Sequence, residues 1–162
     1  MVTYIELLSR LDYTPTTGVF IWKIPPNFHP ELKGKTAGTK TPDGYIKIRI
    51  NGKKYFAHRL AWLFHFGDFP EMEIDHKNRI RHDNRINNLR LASNPQNQAN
   101  RRRKTGKIFT KGVRILPSGK FNARISFNKK LINLGTFDTE KIAGAAYLQA
   151  ARKFYGKYAR GS

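Results

Sequence analysis

The sequence predicts an α+β protein built as two small domains, one over residues 1–103 and one over 104–162. Three observations carry that expectation. Short segments with two-residue apolar alternation recur, as in YIKIRI at 45–50 and FNARISF at 121–127. Segments with helical spacing stand among them, at 58–67 and 139–155. A basic, glycine-containing stretch, RRRKTGK at 101–107, reads as a hinge between two parts of unequal positive charge.

The elements follow in order. Residues 2–12 read as a short amphipathic helix with Ile5, Leu7, Leu8 and Leu11 apolar. TPTTG at 14–18 is a turn and VFIWK at 19–23 a strand. Residues 25–44 are rich in Pro, Gly and Lys and read as a loop. Strand 45–50 turns through NGKK at 51–54 into a partner beginning YFA. HRLAWLFHFG at 58–67 reads as a helix ended by Gly67. Residues 72–76 and 89–92 are short strands around a polar loop. Ser93 to Gln96 has the form of a capping box with proline in the first turn, so a helix starts at 94 and runs to about 103. The second half reads as three strands near 111–116, 121–127 and 130–136, then a helix from about 139 to 155. That helix has an apolar stripe of Ile142, Ala143, Ala146, Tyr147, Ala150 and Phe154.

Charge bounds the function. The 162 residues hold 31 Lys+Arg against 11 Asp+Glu, a formal net charge of +20. Self-repulsion on that scale is relieved by a polyanion. Nucleic acid is the commonest one, with ribosomal RNA and anionic membrane as the other classes. Residues 1–100 carry a balance of +6 and residues 101–162 a balance of +14, so most acids lie in the first part. With 39% hydrophobic residues a core can form. No cysteine is present, which removes disulfides, thiolate zinc sites and cysteine nucleophiles. The first residues carry charges at helical spacing, unlike a signal peptide, and no apolar run approaches membrane-spanning length. The expectation is a cytoplasmic protein with no membrane association and no evident protein partner.

The densest chemistry lies in EIDHKNRIRHDNRINNLRLASNPQNQAN at 73–100. Asp75 stands beside His76, Asn88 follows the histidine by twelve residues and Asn97 the aspartate by twenty-two. Phosphodiester hydrolysis needs a deprotonated water and neutralised phosphate charge. Histidine titrates near neutral pH and suits the proton. A hard divalent ion takes few protein oxygens plus water and phosphate, and Asp75 with the Asn97 carbonyl is such a set. Asn84, Asn87, Asn94 and Asn100 read as turn formers. His82 reads as a solvated loop residue, and His58 and His65 as packing residues.

Here the segment resembles the HNH nucleases of the ββα-metal fold, most closely the phage-type homing endonucleases. The matching residues are Ile74-Asp75-His76, then Asp83-Asn84-Arg85-Ile86-Asn87-Asn88-Leu89-Arg90, then Ser93 to Asn97. The resemblance implies that Asp75 and Asn97 hold Mg2+ (or Mn2+) and that His76 is the general base. It implies that Asn88 braces the loop and orients the His76 ring. Arg79 stands where that family usually has glycine. Arg59, Arg85 and Arg90 are candidate phosphate contacts.

Residues 109–158 resemble the Apetala-type, ethylene-response-factor DNA-binding domain. The resemblance lies in Gly112-Val113-Arg114, Ser118 to Phe121, Ala123-Arg124-Ile125, Leu134 to Phe137 and the alanine-rich helix. It implies a three-stranded antiparallel sheet packed on one helix, with the sheet in the major groove. Alternation lets Lys111, Arg114, Lys120, Asn122 and Arg124 decorate one face, where Arg and Asn suit guanine and adenine edges. Lys129, Lys130 and the hinge residues Arg101, Arg102 and Arg103 are expected at phosphates. Arg124 and Ser126 stand where that family has Glu and Arg, so the bases read do not carry over.

The combined expectation is a metal-dependent DNA endonuclease, nicking or cutting both strands, of homing type and acting on double-stranded DNA. The alternative is a non-catalytic DNA-binding regulator on a decayed nuclease scaffold.

Overall fold

A computed structural model describes residues 1–100 and 110–159, which form two compact units, Met1–Ala92 and Ser93–Ser162. The hinge at 101–107 and the phosphate contacts expected of Arg101, Arg102 and Arg103 lie outside the described residues.

In the first unit, helix α1 (Tyr4–Arg10) opens on a capping box in which Thr3 and Glu6 satisfy each other's backbone N–H. The sequence pattern extended this helix to residue 12. The chain instead enters strand β1 at Leu11–Thr14, because Leu11 and Tyr13 alternate inward while Asp12 and Thr14 face out. β1 pairs antiparallel with β2 (Val19–Trp22), with Tyr13 opposite Phe20.

The loop expected over 25–44 contains a single 3-10 turn at Pro30–Leu32 and a two-residue strand, β3 (Thr39–Lys40). β3 borders a sheet of β4 (Ile46–Ile50) and β5 (Lys53–Phe56) in the order β3-β4-β5. Asn51 and Gly52 make the β4–β5 turn with φ of 48° and 75°, as a two-residue hairpin requires. Helix α2 (Ala57–Phe66) ends at Gly67, as expected. Leu7, Leu11, Phe20, Ile48, Ile50, Leu60 and Leu63 form the core under these elements.

Two further strands finish the unit. β6 (Glu73–His76) pairs antiparallel with β7 (Leu89–Ala92), setting Asp75 opposite Arg90 and His76 opposite Leu89. Ile74 and Leu89 turn into the same core, which anchors both strands.

The second unit begins at Ser93. Helix α3 (Asn94–Asn100) follows Ser93, whose N–H donates to Gln96 Oε1 at 2.8 Å while its hydroxyl accepts from Gln96 N at 3.4 Å. That is the expected capping box. Helix α3 groups with the second unit. Lys111 accounts for this, donating from Nζ to the carbonyls of Gln98 and Ala99 at 2.8 and 2.7 Å.

Strands β8 (Val113–Ile115), β9 (Phe121–Phe127) and β10 (Lys130–Phe137) form an antiparallel sheet in the order β10-β9-β8. Helix α4 (Glu140–Tyr155), capped by Thr139, packs on it through Ala143, Tyr147 and Ala151. Ile142, placed in the apolar stripe by its spacing, is 52% exposed. It sits one residue off the face that meets the sheet. Among the described residues no helix is long and apolar enough to cross a membrane.

Gly112 sets the approach of this helix to the sheet. Its φ is +75°, and a Cβ there would lie 2.1 Å from the Tyr147 ring and 2.7 Å from the Arg124 carbonyl. Neither neighbour can yield without opening the core, so both strain and overpacking oppose a side chain. Gly112→Ala is expected to destabilise the second unit by about 2–4 kcal/mol. Urea unfolding followed by circular dichroism measures this, and an unchanged midpoint would count against the packing described.

Candidate active site

The site grows from the C-terminal end of β6. Asp75 and His76 are both buried, at 5% exposure each. Arg90, directly across the ladder, directs Nε and Nη2 at Asp75 Oδ2 at 2.8 and 2.7 Å. The sequence offered Arg90 as a phosphate contact. Its guanidinium is largely buried and fixes the Asp75 carboxylate.

His76 is followed by a loop over 77–88 that is tied together by its own side chains. Asn88 serves both ends: Oδ1 accepts from Asn78 N at 3.0 Å and Nδ2 donates to the Asp83 carbonyl at 2.8 Å. Its backbone carbonyl accepts from Lys77 N at 2.9 Å. Asn78 Nδ2 donates to Asp83 Oδ2 at 2.6 Å, and Arg85 clamps both Asp83 oxygens through Nε and Nη2. Arg85 therefore has an exposed guanidinium engaged with Asp83. That contact and the bond from Asn78 hold the Asp83 carboxyl down at about 2. Arg79, in the usual glycine position, adopts the left-handed conformation with φ +66°. The loop thus keeps its turn without the glycine.

The β1–β2 hairpin fixes the far side of the loop. The buried Tyr13 hydroxyl donates to the Asn84 carbonyl at 2.7 Å. Gly18 lies so close to the Asn84–Arg85 backbone that a Cβ would fall 2.4 Å from Arg85 N. Asn84 is buried in consequence, its Nδ2 donating to the His82 carbonyl at 3.2 Å. Its side chain faces His76 and favours the protonated ring. By sequence Asn84 reads as a turn former. The residue it faces comes from the hairpin's grip on the loop, and the chain pattern carries no local signal for that.

His76 sits in an aromatic box. Its ring meets the His58 ring edge-on at a centroid distance of 5.1 Å, with Tyr45 at 5.9 Å from the His76 ring. His58 stacks on Phe56 at 5.3 Å. Burial pushes the His76 pKa below the ordinary histidine value, against the opposing pull of Asn84, Asp75 and Asp83. A base held neutral at neutral pH is the form that accepts a proton. His58 is pushed further, to about 3, by burial and by the neighbouring His76 and Arg59. Arg59 lies over the Phe69 ring and donates to the Pro70 carbonyl at 3.4 Å.

Residues 55–99 match the family model described as HNH endonuclease. The matched segment is similar to HNH endonuclease domains. It carries Asp75, His76, Asn88 and Asn97 of the expected set. A solved structure concerned with DNA binding and cleavage by the HNH homing endonuclease I-HmuI is similar, at 20% identity and a TM-score of 0.41. That similarity covers 90% of this chain and 85% of the other. No curated protein matches the chain.

The donor chemistry suits a hard divalent ion. Asp75 offers carboxylate oxygen and Asn97 an amide carbonyl. Among the described residues no group of three or more His, Cys, Asp or Glu side chains forms a closed cage. Carboxylate and amide oxygens suit an ion held largely by water and phosphate.

In the second unit the expected nucleic-acid residues part company. Arg114, Asn122 and Arg124 share the sheet face turned away from α4, as the register requires. Lys111 does not join them, since its ammonium closes the last turn of α3. Lys120 pairs with Asp138 at 3.0 Å. Lys130 is exposed and pairs across the ladder with Phe127, on the opposite side of the pleat. Ser126, Leu131, Asn133 and Thr136 also lie on the outer face, which only the cross-strand register reveals.

His58 gives a pH prediction. Its folded pKa of about 3 lies below the ordinary 6.5, so the unfolded chain takes up a proton first as pH falls. Its neutral burial is therefore fully tolerated above 6.5 and costs stability progressively between 6.5 and about 3. Comparing unfolding free energies from pH 7 to pH 4, His58→Phe should gain on the wild type by up to about 1.4 kcal/mol per pH unit. A difference that stays constant with pH would show that His58 does not titrate in this way.

Proposed function

We propose that the protein is a metal-dependent HNH DNA endonuclease of homing type. The observation that carries this reading is the buried His76 beside Asp75 at the end of β6, within the segment that matches the HNH model. A water placed against the imidazole loses its proton to His76 as it attacks the phosphodiester. Asn84, facing the ring, favours the imidazolium that results. The rings of Tyr45 and His58 beside it keep bulk water off the imidazole, and the braced loop keeps it at the strand end.

Asp75 and Asn97 are the proposed holders of Mg2+ or Mn2+, the latter from the sequence motif. The ion would supply charge neutralisation at the phosphate and the departing 3′ oxygen. Arg90 then acts on Asp75 and fixes the direction of its carboxylate. Arg85 and Arg59 are proposed to meet phosphate. The second unit is proposed to bind double-stranded DNA through Arg114 and Arg124, with Lys130 and Arg101, Arg102 and Arg103 at phosphates. The +14 balance over residues 101–162 supports that assignment. One such site per chain cuts one strand per binding event, and a pair of chains is needed to cut both.

The direct test is nicking of supercoiled plasmid with Mg2+. His76→Ala should lower the rate by about 10²–10⁴-fold. Retardation of duplex DNA by the same variant should be nearly unchanged. A variant that cuts like the wild type would rule out His76 as the base.

A further inference from the structure

We propose that Asn122 is a positioning residue for base recognition, holding the Arg114 guanidinium in one orientation on the outer sheet face. The proposal rests on the reading that the second unit binds duplex DNA. Sequence alternation offered Asn122 as a base reader in its own right, but the residue is only 6% exposed. Its amide is committed inside the sheet. Nδ2 donates to Asn133 Oδ1 at 2.8 Å and to the Gly135 carbonyl at 3.0 Å. Both N–H groups are thereby used, which settles the direction of the amide.

The register explains how two acceptors meet one amide. β10 carries an irregularity between Asn133 and Gly135, where the pairing with β9 shifts by a residue. The extra residue lets the Asn133 side chain and the Gly135 carbonyl converge on Asn122, and Gly135 N donates back to Asn133 Oδ1 at 3.3 Å. Asn122 Oδ1 is left facing β8. Arg114, directly opposite in the β8–β9 ladder, donates Nε to it at 3.3 Å.

The consequence is chemical. Arg114 is exposed at the end of a polar chain that crosses all three strands. With Nε committed, it offers its terminal Nη1 and Nη2 as an end-on fork. Two parallel N–H donors match the O6 and N7 acceptors of a guanine edge. An amide partner leaves the full positive charge on the arginine, where a carboxylate would cancel it. Holding the side chain in place also removes rotamer entropy that binding would otherwise have to overcome.

The test selects binding sites from a duplex library with a randomised core, using full-length protein without divalent metal so that no strand is cut. The wild type should retain a guanine at one position, and Arg114→Ala should lose the preference at that position. Asn122→Ala should relax it about tenfold at the same position, leaving the other positions and the salt dependence of binding unchanged. Asn133→Ala, which leaves Asn122 present but frees one end of its amide, should relax the same position by less. This second variant decides the matter if Asn122→Ala does not fold. Selection by folded variants that matches the wild type at the Arg114 position overturns the positioning role. Failure of the wild type to retain any duplex overturns the DNA-binding reading beneath it.

Discussion

The twelve residues from Lys77 to Asn88 must hold one shape with almost no apolar side chains of their own, and Asn88 meets that constraint. One amide secures the start of the loop through Asn78 N and its end through the Asp83 carbonyl. A buried polar group left without a partner costs about 1–3 kcal/mol, so the loop gains by closing on itself. Closure fixes where the chain leaves β6, and with it the place of His76. The grip of Tyr13 and Gly18 on Asn84 and Arg85 does the same from outside. The N-terminal hairpin is therefore part of the site even though it supplies no reactive group.

Electrostatics follow from this closure. A buried carboxylate is tolerated only with a partner, and β7 delivers Arg90 across the ladder to Asp75. Burial drives both buried histidines toward the neutral form, for His76 against the pull of Asp75 and Asp83. Asp75 is thus held by an ion pair with Arg90, while His76 packs against the rings of His58 and Tyr45 and is driven toward the neutral form. That division separates the metal-holding and proton-taking roles proposed for Asp75 and His76.

Much of this was legible in the sequence, because it depends on short-range chemistry. Asn51-Gly52 declares a tight hairpin, Gly67 ends α2, and Ser93 with Gln96 caps α3. The Asp-His pair and the asparagines behind it stand at motif spacing, and the match over 55–99 falls on them. What was not legible depends on partners far away in the chain. Asn84 looks like a turn residue until Tyr13, remote in sequence, fixes its backbone. His58 looks like packing, as it is, but nothing local says that it packs on His76. Lys111 reads as one more exposed cation until α3 presents its carbonyls, and Asn122 as an exposed reader until the irregularity in β10 surrounds it. Basic and amide side chains carry no mark of whether the fold will use them internally.

The central claim is that the fold holds His76 as a neutral base. Long-range ¹H–¹⁵N spectra of the histidine rings, followed through a pH titration of the metal-free protein, address it directly. The account predicts that His76 is neutral at pH 7 and titrates below the ordinary value of about 6.5. A His76 ring that is still protonated at pH 7, or that titrates above the ordinary value, would contradict it.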